Sequence, residues 1–134
     1  MMPRREDWPL ALTEWVDAHR ATPFEWGGFD CCSAAAAWVR VCTGADFYAA
    51  FAGRYDDALG AERIVRAAGG IKKIVTPLLG EPLPPAFAQR GDLVLVDIEG
   101  RESLAVCVGG EAAGPGEGGL VFVAPEGWLC AWRV

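Results

Sequence analysis

The sequence predicts an α+β fold in which N-terminal helices pack on a C-terminal antiparallel sheet of about four strands. Three observations lead there. Apolar residues recur at helical spacing up to about residue 79, with capping residues and glycine stops between the segments. Beyond Arg90 they come instead in short runs separated by glycine and charged turns, as strands do. A stretch with three prolines, residues 80–89, divides the two parts. The expected organisation is one domain over 1–134, with a helical part at about 7–79, the Pro-rich linker at 80–89 and a sheet part at 90–134. A chain of 134 residues can bury roughly two-thirds of its unfolded surface in one core.

Residues 1 to 6 form a polar start that is expected to fray. Asp7 then caps a first helix with Trp8 and Pro9 in its first turn, where proline's missing N–H had no partner. Leu12, Trp15, Val16 and His19 fall at i, i+3, i+4 and i+7, an apolar stripe that includes the only histidine of the chain. From Thr22 to Ser33 the chain reads as a stiff loop closed by Gly27 and Gly28, with Asp30 as the N-cap of a second helix running from Cys31 to Val41. Cys31, Ala34, Ala35, Trp38 and Cys42 share one face of that helix, the alanines Ala34 to Ala37 permit close approach to a sheet, and Gly44 ends it.

Asp46 to Phe51 is a short apolar-aromatic turn or helix. A third helix is expected from Asp56 to Ala68, with Leu59, Ile64, Val65 and Ala68 inward, and a fourth over 71–79 that accommodates Pro77 or bends at it. In the sheet part, Leu93–Ile98 is the first strand, Glu99-Gly100 a hairpin turn and Leu104–Val108 the return, followed by Leu120–Ala124 and Trp128–Val134. Gly109 to Gly119, with six glycines, is expected to be a mobile loop. Leu93 to Val96 and Leu120 to Val123 are apolar at every position, so both sheet faces need cover. The helices supply one cover; a neighbouring subunit or loops of this chain supply the other.

Composition narrows the function. With 52% hydrophobic and 22% charged residues the chain is neither disordered nor, lacking any long apolar run, membrane-spanning. A net charge of −6 with scattered Lys and Arg speaks against nucleic acid. Five cysteines without a C-x-x-C pair indicate reduced thiols rather than a disulfide framework or zinc site, and neither metal nor cofactor is expected. No secretory signal is evident in residues 1–9, so synthesis and folding in the cytoplasm are expected.

Cys31 and Cys32 fall in the first turn of the second helix, where unpaired N–H groups and the helix dipole stabilise a thiolate. A cysteine so placed is a candidate nucleophile; the plainer reading is a small apolar residue closing the top of a core helix. Pro23-Phe24-x-Trp26-Gly27-Gly28-x-Asp30-Cys31 resembles the nucleophile segment of NlpC-type, papain-like peptidoglycan cysteine peptidases, in which a Trp-Gly-Gly turn leads to Asp-Cys-Ser at a helix start. Arg90-Gly91-Asp92-Leu93-Val94-Leu95-Val96 resembles the Gly-Asp-Leu-Val that opens the first core strand of that family. Over roughly residues 12–134 the chain is also similar to small proteins of phage and prophage tail gene clusters, with the same Trp-Gly-x-x-Asp-Cys-Cys opening, Cys-Val-Gly-Gly strand end and final Ala-Trp-Arg-Val.

The resemblance implies an NlpC-like fold with Cys31 as nucleophile, Cys32 as the alternative, and Trp26, Gly27, Asp30 and Asp92 as supporting motif residues; Asp92 also reads simply as a strand-start turn residue. Such a thiol needs an imidazole. In the NlpC-type families it opens the second core strand, where this chain has Ser103 or Leu104, and the third, polar position, around Leu120 to Val123, holds only apolar residues. His19 is a weak candidate base, more simply read as a packed histidine at the core edge.

The implied function is therefore a phage or prophage tail component, at the tail tip or baseplate, structurally related to cell-wall peptidases. Its place would be the virion tail after synthesis in the host cytoplasm. Its implied partners are other tail-tip proteins, met through an apolar sheet face and Trp128 and Trp132, with peptidoglycan as a further partner; those two tryptophans also read as core packing. The alternatives are an active peptidoglycan cysteine hydrolase using Cys31, and a thiol acyl-transferase or amidase on another substrate.

Overall fold

A computed structural model describes residues 3–134. Four helices come first, α1 (Trp8–His19), α2 (Cys31–Thr43), α3 (Ala58–Ala68) and α4 (Ile71–Leu79). Five strands follow: β1 (Leu93–Ile98), β2 (Arg101–Cys107), β3 (Ala112–Gly116), β4 (Gly119–Val123) and β5 (Trp128–Trp132). They form one antiparallel sheet in the order β4-β3-β2-β1-β5. The architecture is α+β, as the change of periodicity at Arg90 predicts, with one more strand than expected.

The central helix is α2, and its sequence explains why. Asp30 accepts from the Ser33 N–H while the Ser33 hydroxyl accepts from the Asp30 N–H, a capping box that fixes the first turn. Gly44 ends the helix in the left-handed region. Ala34 and Ala35 let α2 settle on β2 and β3, and fully buried Trp38 donates its indole N–H to the Gly91 carbonyl at 2.8 Å. Asp7 stands at the N-cap of α1 but spends its carboxylate on Arg5 rather than the backbone. The cap of α3 is Asp57, through its bond from the Gly60 N–H, so that helix starts at Ala58 instead of Asp56. Pro77 is accommodated in the last turn of α4.

The extra strand corrects the expectation of a mobile glycine loop. β3 lies inside Gly109–Gly119 and pairs with β4 from Ala112↔Val123 to Gly116↔Gly119, and with β2 through Val106↔Ala113 and Cys107↔Ala112. Its residues, Ala-Ala-Gly-Pro-Gly, are poor strand formers, but they are small where the chain runs close to its neighbours. A Cβ on Gly114 would stand 3.4 Å from the Leu104 carbonyl oxygen of β2.

Around β1 and β2 both faces of the sheet are covered within the chain, while Val121 and Phe122 of β4 and Leu129 of β5 stay exposed. Leu93, Leu95, Leu104, Val106, Cys130 and Trp132 join Leu12, Trp15, Trp38 and Val39 in the main core. On the other face, Val94, Val96, Ala105, Cys107, Ala112 and Ala131 are buried with Ala88, Val123 and Trp128 against them. The Pro-rich segment supplies much of this cover: Leu83 exchanges both backbone hydrogen bonds with Ala131 at 2.7 and 3.0 Å, and the 3₁₀ turn Pro85–Phe87 packs on β5. No neighbouring subunit is needed there. The same packing overturns the reading of Trp132 and Trp128 as exposed aromatics. Trp132 is fully buried with its indole N–H on the Thr76 hydroxyl, and Trp128 is half-buried with its own on the Val123 carbonyl.

The terminal segment does not fray where it is described. Met1 and Met2 lie outside the described residues, but the Arg5 N–H donates to the Cys42 carbonyl at 2.7 Å, and Arg4 reaches across to Asp92. Asp92 is fully buried, with Arg4 at 2.9 Å, Arg133 at 3.0 Å, and the N–H groups of Gln89 and Val134 at 2.9 and 3.2 Å. Arg4 also donates to the carbonyls of Val134 and Arg90. A Cβ on Gly91 would lie 2.7 Å from the Arg4 guanidinium, so glycine is needed to admit it. Asp92 thus ties residues 4, 89 and 133–134 together.

Candidate functional site

The loop before α2 builds one wall of a cleft of roughly 820 Å³, lined among others by Phe24, Trp26, Cys31, Cys32, Arg101 and Leu104. Glu25 and Phe29 exchange backbone hydrogen bonds around a tight turn, and the Phe24 N–H donates to the Gly116 carbonyl, anchoring the loop on β3. Gly27 has φ +79°, and a Cβ there would stand 2.7 Å from the Tyr55 carbonyl oxygen. Only glycine admits the Tyr55 segment so close. Trp26 packs edge-on against Phe24 at 4.6 Å, with the Arg101 guanidinium 5.2 Å from its ring centroid.

Asp30 lies buried below the thiols with both carboxylate oxygens in use. One accepts from the Ser33 N–H; the other accepts from the Gly27 N–H and the Tyr55 hydroxyl. The Tyr48 hydroxyl in turn donates to Tyr55 at 2.7 Å. Burial first, then the bond to Asp30, raises the Tyr55 hydroxyl well above the ordinary tyrosine range. Burial likewise raises Tyr48.

Cys31 and Cys32 occupy the first two positions of α2, with their sulfurs 3.9 Å apart. The hydrogen bond shared with Cys32 lowers the Cys31 thiol, against an opposing burial effect, and the backbone of Leu104 and the charge of Arg101, which act on Cys31 and not on Cys32, lower it further. Cys32 is pushed up by that same contact and by burial. Cys31 is therefore the more nucleophilic of the pair.

The strand opposite carries no imidazole. Leu104 sits on β2 with Leu95 as its β1 neighbour on the helix-facing side, its backbone at the Cys31 sulfur. Ser103 alternates to the other sheet face while also lining the cleft. Of the two places where a histidine is expected, the one facing the thiol is Leu104. His19 lies elsewhere: its ring stacks on Phe29 at 4.7 Å and meets Trp15 at 5.3 Å, with Nδ1 3.5 Å from the Thr22 hydroxyl. It does not line the cleft, and among the described residues no hydrogen bond joins it to Cys31. Asp92 is also outside the cleft lining, bound to Arg4 and Arg133. The structure brings together Trp26, Asp30, Cys31 and Cys32, and leaves His19 and Asp92 apart from them.

The family model for a domain of unknown function, DUF6950, matches residues 3–134. The chain belongs to the DUF6950 family. Among solved structures, this DUF6950 chain is similar to the NlpC/p60 domain of the peptidoglycan hydrolase SagA, with 19% identity and a TM-score of 0.57 over 94% of this chain and 98% of that one. The two share the NlpC-like fold. RipD from Mycobacterium tuberculosis, described as a non-catalytic NlpC/p60 domain protein adapted to peptidoglycan binding, is similar with 21% identity and a TM-score of 0.49, over 96% of this chain and 98% of that one. No curated protein matches the sequence.

Among the described residues of this DUF6950 chain, no three His, Cys, Asp or Glu side chains are grouped to hold a metal ion, and no helix is long and apolar enough to cross a membrane. Sequence reasoning missed Tyr48 and Tyr55. The signal available was Gly27, whose lack of a side chain makes room for something to come down on Asp30.

The buried acids have a consequence for stability. Cys32 is raised by its bond to Cys31 and by burial, and burial raises Cys42, Cys107 and Cys130, while the unfolded chain releases such protons from about pH 8.5 upward. Their contribution is complete below that pH and is lost as pH rises, at up to about 1.4 kcal/mol per pH unit for each group. Cys31 and Cys32 are moved in opposite senses by the one bond they share, so the three core thiols Cys42, Cys107 and Cys130 set the trend. Melting temperature is expected to fall steadily between pH 8 and pH 10. A flat profile over that range would show that these thiols are not held protonated in the fold.

Proposed function

We propose that this chain is a non-catalytic, or at most weakly catalytic, NlpC-type domain serving as a structural component of a phage or prophage tail, at its tip. The observation behind the loss of catalysis is Leu104 opposite the Cys31 sulfur, in the position where the reaction needs an imidazole. Removing the base from a comparable nucleophile site lowers turnover by about 10⁶-fold, leaving roughly 10³ to 10⁴ over water. That residue of activity does not open a cell wall in useful time. The tail assignment is supported by the order of the two motifs, around Cys31 and Asp92, and by the closing Ala-Trp-Arg-Val. Its partners are then other tail-tip proteins, with peptidoglycan as a ligand for the cleft.

The second reading, an active peptidoglycan hydrolase, is favoured by the lowered Cys31 thiol. Zymography against cell-wall substrate separates the two. No clearing by the wild-type chain is expected; clearing that disappears in Cys31→Ala would establish the hydrolase instead. The tail assignment is tested by mass spectrometry of purified particles from the encoding phage or induced prophage, in which the chain is expected at a fixed ratio to the other tail proteins. Its absence from particles would remove the tail role.

A further inference from the structure

We infer that Cys31 and Cys32 form a chelating dithiol site for a thiophilic trivalent centre bearing one organic group, of the monosubstituted arsenical class. Their sulfurs stand 3.9 Å apart and both residues line the cleft, whereas Cys42, Cys107 and Cys130 are buried in the core. The pair is poorly placed to close on itself. Neighbouring Cα atoms stand about 3.8 Å apart across a trans peptide, below the roughly 4.4 Å at which disulfides begin. Both residues also belong to the first turn of α2, held by the Asp30–Ser33 capping box. An S–S bond would have to undo that turn.

Binding one atom to both sulfurs does not. A trivalent centre with a lone pair is pyramidal, so with metal–thiolate-like bonds of about 2.3 Å and S–centre–S angles of roughly 95–100° its two sulfurs lie about 3.4–3.5 Å apart. The two sulfurs, now 3.9 Å apart, need only close by roughly half an ångström, which side-chain rotation supplies without unwinding the turn. The site offers two protein donors and no more: the Asp30 oxygens are taken by Ser33, Gly27 and Tyr55, and among the described residues no third ligand completes a metal set. The remaining valence belongs to the ligand's own substituent. The cleft of roughly 820 Å³ has room for it, with Phe24 and Trp26 among its lining residues.

Phenylarsine oxide is the probe. Two thiol protons are given up, two S–As bonds form, the As–O bond breaks and the oxygen leaves as water; arsenic stays trivalent and nothing is oxidised. One equivalent is added to the full chain, followed by intact mass measurement and a count of thiols still reactive in the native state. The expected result is one adduct per chain and protection of both Cys31 and Cys32 from alkylation, stable to excess glutathione and reversed by 2,3-dimercaptopropanol. Cys31→Ser and Cys32→Ser should each weaken binding on the order of 10² to 10⁴-fold, since the second bond is no longer intramolecular. Retention at wild-type strength in either variant would overturn the inference, and so would a native chain that takes up no reagent while the unfolded chain does. Should a variant fail to fold, the protection pattern on the wild type decides alone. This site stands apart from the functional reading: a lytic wild type would remove the scaffold role and leave the chelate untouched.

Discussion

Asp92→Asn is expected to lower stability by about 3–5 kcal/mol, the range for removing one partner from a buried ion pair. The carboxylate is fully buried and receives four donors, from Arg4, Arg133, Gln89 and Val134. An amide keeps the shape but cannot accept all four, and it leaves two guanidinium groups beside a neutral side chain. For a domain of this size the loss corresponds to a drop of about 10–20 °C in melting temperature. Thermal melts near pH 7 measure it, with Arg5→Ala as the comparison: that residue pairs with Asp7 at an exposed position, where solvent screens an ion pair and little stability is lost. Equal effects from the two substitutions would mean that Asp92 is not the tie described above.

Leu104→His is expected to change the behaviour of the thiol more than any other single substitution. It puts an imidazole on the strand residue whose backbone already meets the Cys31 sulfur. A thiolate paired with imidazolium has its pKa lowered to roughly 3.5–7.5. Alkylation of Cys31 at pH 6 should therefore rise on the order of 10- to 100-fold over wild type, with the inflection of its pH profile moved down. The substitution also places a polar ring in an apolar wall, so the fold is checked first by its melting transition. A folded variant that alkylates at the wild-type rate, with an unmoved profile, would show that Leu104 does not face the thiol. Full hydrolytic activity is not expected: the strand beside β2 is β3, and not β4 with Leu120 to Val123 as the sequence suggested, and its Ala112, Ala113, Gly114, Pro115 and Gly116 offer no polar side chain to orient the ring.

The parts of the fold that were legible in the sequence are those with local causes. Asp30, Ser33 and Gly44 bound α2 through contacts within four residues of each other, and the stripe from Leu12 to Trp15 and Val16 gives α1 its buried side. What stayed hidden depends on distant partners. The strand Ala112–Gly116 has no strand-forming side chains; it is held by β2 and β4 on either side. Arg4 reads as a terminal charge because Asp92 stands 88 positions away. The linker reads as free because its pairing with Ala131 crosses 48 positions, from Leu83, and nothing local announces it. At the site the same division holds. The cap and the two thiols were visible in one short stretch, while Tyr55 reaches Asp30 only through the turn between α2 and α3.

Arg4 and Val134 are joined by a hydrogen bond spanning 130 positions, and Asp92 bonds to both residues. During synthesis α1 meets α2 early, through Arg5 on Cys42 and Trp15 on Trp38, but the tie at Asp92 stays open until residues 133 and 134 arrive. Contacts of such wide sequence separation carry the largest loop-closure cost and are expected to form after the local helix pairs. The front and back of the domain are thus expected to lock together last, when residues 133 and 134 reach Asp92.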